Sequence, residues 1–313
     1  YYNGNHPGDG EEMEIAISVP NTVNTLLVNG QEVELSSDEN TINSIQNLNV
    51  AGPKLEDISG DRGVDLVNWA ARFNVGTSRI NMGDITQLNN VANFTVEGWA
   101  RQMSNMATAY IFSKEASGDH DIVVRTDGGS LFVEVGNTSD SYGEWAGYSG
   151  AISSGTWFHW AVVYDGAGGS DADRLKLYIN GNMTPIVLSF TGSIPATTSS
   201  SLAGMNSRMS KSGTAFDGYM DEMRIWNTSR SAGNINAYYN KIISGLTGNL
   251  KAYWRMNEGS GSMSYDETTS GYNATLFDCL WALHPNLFDS DGDGIVDDND
   301  DYPLDATRAF NNF

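Results

Sequence analysis

The stretch Thr156–Gly166, TWFHWAVVYDG, decides the fold class. Phe158, Trp160, Val162 and Tyr164 occupy alternate positions, with His159, Ala161 and Val163 between them. Aromatic and β-branched residues at period two are the pattern of a strand with one face against a core. His159 then falls on the outer side of its sheet. No second histidine and no carboxylate stands at ligand spacing within the strand, so His159 reads as a surface or hydrogen-bonded residue, not a metal ligand.

The same signature recurs on both sides. NFTVEGWARQ (93–102) sets Phe94, Val96 and Gly98 against Thr95, Glu97 and Trp99, and AYIFSKE (109–115) follows. HDIVVRTDGGSLFVEVGN (120–137) is two strands joined through Asp127-Gly128-Gly129, a strong hairpin signal. RLKLYINGN, GYMDEMRIWN and GNLKAYWRMNEGSG continue the series, with Asn180-Gly181 as a type I′ turn pair. Strand after strand between glycine-rich turns predicts an all-β sandwich or jelly roll. One helix is predicted in SRSAGNINAYYNKIISGL, capped by Ser231, with Ile235, Tyr238, Tyr239 and Ile242 on one face and a stop at Gly245.

Aromatics inside strands (Trp99, Trp160, Tyr178, Trp226, Trp254) alternate with polar neighbours and read as core. Trp145 and Tyr148, in SDSYGEWAGYSG (139–150), read as loop aromatics among small polar residues. There an aromatic either caps a core edge or meets a planar ligand such as a sugar ring. With Asp140, Tyr142 and Glu144 they form the candidate ligand-binding set.

Composition narrows the partners. Of 313 residues, 39 are acidic and 17 basic, a net charge of −22, so the basic footprint that a nucleic-acid backbone requires is missing. One cysteine, Cys279, excludes an intrachain disulfide and cysteine-based zinc patterns. The longest apolar runs are strand-sized, which predicts no membrane insertion. The first residues, YYNGNHPGDGEEME, carry no basic and apolar leader, so a signal peptide is expected to have been removed or the sequence to begin internally.

Before the strand series, EMEIAISVP (12–20) reads as a strand stopped by Pro20, and NTLLVNGQEVEL (24–35) as two short strands around Asn29-Gly30. A small β module and extra strands laid onto the main domain both fit.

After the series comes DSDGDGIVDDNDDYPLD, with eight aspartates in the seventeen residues from Asp289 to Asp305. Counting Asp289 as one, Asp291 and Asp293 stand at three and five, Gly294 at six, Ile295 at seven, Asp297 at nine and Asp300 at twelve. This is the order in which a calcium loop wraps oxygens round the ion: three carboxylates, a tight turn, a backbone carbonyl at seven, a direct or water-bridged ligand at nine and a closing acid. An oxygen-only set suits calcium as the cofactor. Pro285 and Pro303 interrupt the helices that an EF-hand needs on either side. The spacing without helices resembles the thrombospondin type 3 repeat, which joins modules of surface proteins.

The blocks FTVEGWARQ, IFSKEA, GTWFHWAVVYDG, LKLYINGN, FDGYMDEMRIWNTSRSAGNINAYYN and LKAYWRMNEGSG, in this order from about Asp65 to Phe277, resemble the concanavalin A-like, laminin G-type jelly-roll domains of secreted bacterial surface proteins. The resemblance implies two packed antiparallel sheets, and members that bind glycans or proteins or accompany hydrolases. It also places Asp221 where a carboxylate can help hold a structural calcium at the sheet margin; the alternative is that Asp221 caps a turn or pairs with an arginine. Glu222, its neighbour, is expected to point the opposite way along a strand. AARFNVGTSRINMG departs from the family form, with Asn74 for an aspartate and Thr77-Ser78-Arg79 for an acidic pair. A carboxylate site built there in relatives is not carried over.

The expected organisation is a two-sheet antiparallel jelly-roll sandwich at 63–280, preceded by a short N-terminal β segment at 1–62 and followed by a calcium-binding linker at 281–313. No strand offers the paired carboxylates of a glycosidase, and the Gly-x-Ser-x-Gly, His-Glu-x-x-His and phosphate-loop signatures are missing, so no enzyme is expected. The expectation is a non-catalytic, secreted or cell-surface binding or adhesion module of a larger polypeptide, recognising a glycan or a surface protein. Calcium sites of about 10⁻⁴–10⁻³ M affinity fill only outside the cell, which sets the location. The alternatives are an accessory carbohydrate-binding domain of a secreted polysaccharide hydrolase and a structural spacer.

Overall fold

The computed structural model describes residues 25–28, 31–34, 68–74, 76–104, 108–115, 122–136, 145–148, 152–210, 216–243 and 248–283. The chain divides into two compact units, Tyr1–Val50 and Ala51–Phe313. In the first, strands β1 (Thr25–Val28) and β2 (Gln31–Glu34) pair antiparallel from Thr25 opposite Glu34 to Val28 opposite Gln31. That is the register expected of two strands separated by Asn29-Gly30.

The second unit is built from β3 (Trp69–Phe73), β4 (Arg79–Asn81), β5 (Asn93–Gln102), β6 (Ala109–Lys114), β7 (Ile122–Asp127), β8 (Ser130–Val135), β9 (Trp145–Tyr148), β10 (Trp157–Asp165), β11 (Leu175–Ile179), β12 (Ser189–Thr191), β13 (Ser207–Met209), β14 (Gly218–Trp226), β15 (Leu250–Trp254), β16 (Met263–Ser264), β17 (Ala274–Phe277) and β18 (Leu280–Leu283). Among the described residues these make two antiparallel sheets. Sheet I has seven strands in the order β11-β10-β5-β14-β3-β18, with β15 also paired to β14. Sheet II has nine in the order β12-β9-β8-β7-β6-β13-β4-β17-β16. The predicted jelly-roll sandwich is the observed fold.

One core lies between the sheets. Phe94, Val96, Phe158, Trp160, Val162, Tyr164, Ile225 and Trp254 of sheet I meet Ile80, Phe112, Ile122, Val124, Leu131, Val133 and Leu276 of sheet II, all buried. The alternation read from TWFHWAVVYDG is therefore correct, and each such large side chain contributes about 1.5–3 kcal/mol by leaving water. The five strand aromatics are all buried, but they divide. Trp160 and Trp254 fill the intersheet core, while Tyr178 and Trp226 belong to two smaller clusters and Trp99 lies beneath Tyr239.

Turn chemistry sets the register. Gly128 (φ +57°) and Gly129 (φ +87°) join β7 to β8 with Asp127 opposite Ser130, and Asn180 (φ +50°) and Gly181 (φ +63°) form the predicted I′ pair after β11.

Among the described residues two α-helices stand outside the sheets. The single turn α1 (Asp171–Arg174) is capped by Ser170, and α2 (Ala232–Tyr238) begins as predicted, the Ser231 hydroxyl accepting from the Asn234 amide. It ends earlier than Gly245, and Tyr238 is exposed instead of packed. Donors from sheet I take the carbonyls at its end: Arg224 binds those of Tyr238 (3.0 Å) and Lys241 (2.7 Å), and the Trp99 indole that of Tyr239 (2.9 Å). Carbonyls satisfied from the side have no need of a further helical turn. Among the described residues no helix is long and apolar enough to cross a membrane.

Candidate functional site

A sandwich offers two outer faces to a ligand, and α2 closes much of the first. Where β10, β5, β14 and β15 run side by side in sheet I, the outward positions are Ala161, Glu97, Arg224 and Tyr253. Glu97 Oε1 accepts from Arg230 Nη1 at 2.6 Å and from the Trp226 indole at 2.9 Å. Arg224 Nη2 donates to Glu222 Oε2 at 2.7 Å, the Tyr253 hydroxyl donates to the same oxygen, and Arg255 Nε lies 3.4 Å from Glu222 Oε1. Ile235 of α2 packs over Ala161, Val163 and Tyr178. A buried ion network of this kind holds two layers together and offers no group to a solvent-borne ligand.

His159 lies within this region and corrects the sequence expectation. It faces outward from its sheet, but it is 1% exposed, between the rings of Trp99 (5.6 Å) and Tyr239 (5.7 Å). Neither ring nitrogen has a hydrogen-bond partner among the described residues, and Nε2 stays 3.9 Å from Glu97 Oε2. Burial, with Arg224 and Arg230 near, holds its pKa well below the usual 6.5, so the ring is neutral.

Asp221 sits beside the network, buried and opposite Trp99. Its Oδ1 accepts the Glu222 amide at 2.8 Å, and Glu222 has φ +51°. The pairing of β14 with β5 slips between Asp221 and Arg224, a β-bulge. The extra residue breaks the alternation. Glu222 consequently joins Arg224 and Tyr253 on the helix side, instead of pointing away as simple alternation requires. Among the described residues no three His, Cys, Asp or Glu side chains gather where they could hold a metal ion. The aspartate loop, Asp289, Asp291, Asp293, Ile295, Asp297 and Asp300, lies outside the described residues.

The outer face of sheet II is organised differently. One row of register partners crosses all nine of its strands: Met263, Thr275, Asn81, Arg208, Ser113, Val123, Glu134, Trp145 and Thr191. In the middle, Arg125 donates from Nε to Glu134 Oε1 at 2.8 Å, and its guanidinium covers the Phe132 ring at 4.4 Å. Arg208 is half-buried and has no hydrogen bond or ion pair among the described residues, and beside it the buried Ser113 hydroxyl is also unpartnered. Arg208 on β13 lies two strands from Arg125 on β7 and three from Phe132 and Glu134 on β8. A guanidinium with unused donors and an aromatic ring with a carboxylate are groups suited to a hydroxyl-rich ligand.

Of the predicted ligand-binding set, Asp140, Tyr142 and Glu144 lie outside the described residues. Trp145 and Tyr148 are not loop residues but the ends of β9, held between β8 and the edge strand β12. In backbone register Trp145 lies opposite Glu134 and Tyr148 opposite Leu131. The loop reading failed because β9 is a strand only through its partners; EWAGY has no alternation of its own. Sequence reasoning also missed Arg125, Phe132, Glu134 and Arg208. The first three are the polar-side positions of the hairpin IVVRTDGGSLFVEV and were legible there, but Arg208 takes its place only by pairing with Asn81 and Ser113.

A hollow of about 190 Å³ opens at one end of the sandwich between Leu131, Ile152, Phe158, Ile179 and Ile186. The Asn180 side-chain oxygen, one of its polar lining groups, already accepts from the His159 backbone amide at 2.8 Å.

Residues 74–236 match the family model described as the concanavalin A-like lectin/glucanases superfamily. The chain belongs to this superfamily. Its laminin G-like sandwich aligns with that of a Bacteroides ovatus protein described as carbohydrate-binding, at 16% identity and a TM-score of 0.53, over 69% of this chain. The chain spans 60% of that protein's length. Weaker likenesses include a heptameric pentraxin of Limulus polyphemus (16% identity, TM-score 0.41, 56% of this chain and 82% of that one). Another is the CBM40 of a Ruminococcus gnavus sialidase bound to α2,3-sialyllactose (15% identity, TM-score 0.42, 54% and 95%). No curated protein sequence matches the chain.

Proposed function

We propose that this chain is a non-catalytic carbohydrate-binding module whose ligand lies on the outer face of sheet II, across Asn81, Arg208, Arg125, Glu134 and strand β9. The observation that carries this reading is Arg208, a half-buried guanidinium without an acid partner among the described residues in a chain of net charge −22. On the opposite sheet the buried arginines are all committed to Glu97 and Glu222. Those two carboxylates are sealed from solvent, which places them beyond reach of a glycosidic bond. A superfamily that includes lectins, and a carbohydrate-binding description for the Bacteroides ovatus protein of like fold, support the same ligand class.

Calcium is proposed as a structural ion of the aspartate loop Asp289–Asp300, on its ligand spacing. The loop then acts as a stiffened connection to further domains of a secreted or cell-surface polypeptide. Attachment to a polysaccharide hydrolase as an accessory domain is the alternative context for the same binding face.

A glycan array with the purified chain tests the reading. At least one neutral or acidic glycan should bind, with the signal lost in Trp145→Ala and weakened in Arg208→Ala. Retention of every signal by both variants removes this face as the site, and turnover of a polysaccharide overturns the non-catalytic assignment.

A further inference from the structure

The cover that α2 places on sheet I stops short of one end. The last outward row beneath it holds His159, Trp99 and Asp221. The next row, two residues further along each strand, is Trp157 on β10, Arg101 on β5, Tyr219 on β14, Arg72 on β3 and Leu280 on β18. Its first four members are half-buried and Leu280 is 59% exposed.

These side chains form a stack. The Tyr219 ring lies between two guanidinium groups, Arg72 at 5.0 Å and Arg101 at 5.6 Å, with the Trp157 ring 6.0 Å away. Arg101 Nε donates to the Gly155 carbonyl at 2.7 Å, and Arg101 has no acidic partner among the described residues. Arg72 is held by Asp217 at 2.9 Å, whose other oxygen accepts from the Ser104 hydroxyl at 2.6 Å. Among the described residues the row thus carries two guanidinium groups and a single neighbouring carboxylate, which is bound to Arg72.

We infer that this row is a second binding surface, for a linear acidic polysaccharide that carries its carboxylates on alternate residues. Stacking against Tyr219 and the bond to Gly155 orient Arg101 in advance, so little side-chain freedom remains to be lost on binding, and the free Nη edge presents paired donors suited to a carboxylate. Neighbouring strands are about 4.8 Å apart, so Arg101 and Arg72, two strands apart, stand roughly 10 Å from each other. One strand spacing corresponds to about one pyranose, so two strands span a disaccharide. The ligand therefore runs across the strands, with Arg101 the stronger contact and Arg72, already bound to Asp217, the weaker. A nucleic acid, charged at every residue, meets about twice the repulsion per residue from the acidic chain that a polymer charged at alternate residues meets. The surface is on the opposite outer face from the Arg208 row and does not depend on that assignment.

The test is calorimetric titration of the full chain at low salt with hyaluronan, whose carboxylates alternate with uncharged residues, and with dextran and poly-aspartate as further probes. Hyaluronan is expected to bind, at least tenfold more weakly to Arg101→Gln and with unchanged affinity to Arg208→Gln; dextran and poly-aspartate are expected not to bind at this row. An unchanged thermal transition shows that Arg101→Gln is folded, and Tyr219→Leu, which removes the stack and leaves both charges, should weaken binding in the same direction. Absence of hyaluronan binding, equal binding by Arg101→Gln, or equal loss in Arg208→Gln overturns the proposal. Poly-aspartate binding that depends on Arg101 overturns it in favour of an acidic peptide.

Discussion

Arg230 Nη1 donates to Glu97 Oε1 at 2.6 Å, joining residues 133 positions apart whose side chains are 5% and 0% exposed. The contact ties the segment entering α2 to the central strand of sheet I. Glu97 is also 3.8 Å from Arg224, so one carboxylate serves two buried guanidinium groups.

Removing that carboxylate leaves both cations in the interior. Glu97→Ala is expected to cost about 3–5 kcal/mol, the range for breaking a buried ion pair from one side. Urea unfolding followed by tryptophan fluorescence measures this. A loss below about 1 kcal/mol shows that the arginines find other partners.

His159 makes stability depend on pH. Its folded pKa is held well below the usual 6.5 by burial and by Arg224 and Arg230, so the unfolded chain binds the extra proton first. Its contribution is complete above about pH 6.5 and is lost as pH falls below that value, by up to about 1.4 kcal/mol per pH unit until the folded pKa is reached. Glu258, whose pKa burial raises above the usual 4.5, acts in the opposite sense and gains stability as pH falls through its folded value. The urea midpoint between pH 7 and 5 should therefore fall more steeply for the parent chain than for His159→Gln. Equal slopes exclude a neutral buried imidazole.

Gly181 supports the seat of α2. It has φ +63°, and a Cβ built on it meets the Tyr239 ring at 2.3 Å, while its carbonyl accepts from Asn236 at 2.8 Å. Gly181→Ala combines left-handed backbone strain with overpacking, which together cost about 2–4 kcal/mol. Thermal unfolding should show this loss, and amide exchange in 232–239 should accelerate. A variant as stable as its parent places Tyr239 elsewhere.

Calcium titration by calorimetry separates the two carboxylate sites suggested by the sequence. Asp291→Ala with Asp293→Ala is expected to abolish or strongly weaken at least one site, because both are early ligands of the loop. Asp221→Asn is expected to leave the stoichiometry unchanged, as its carboxyl is buried on the Glu222 amide. Unchanged binding in the loop variant removes that assignment.

What could be read in advance was whatever repeats over a few residues. Period two in TWFHWAVVYDG assigned Phe158, Trp160, Val162 and Tyr164 to the core, and Asn180-Gly181 announced its own turn, because sterics within a few residues decide both. Strand β9 was misread because its short segment gains strand geometry only from β8 and β12. Glu222 was misread because a bulge is one extra residue measured against a partner strand, and the partner is distant in sequence.

By itself, then, the sequence determined the two-sheet sandwich, the inward face of each strong strand, the start of α2 and the oxygen-ligand spacing of the aspartate run. Tertiary structure alone decided which arginines are neutralised and which stay available. Arg224 and Arg230 lie in the same run of strand and turn as Tyr219, yet pairing with Glu97 and Glu222 buries them, while Arg101, on the same strand as Glu97, emerges beyond the edge of α2. The physical reason is that charge compensation depends on distance in space, and residues more than a hundred positions apart meet only when the sheets have formed.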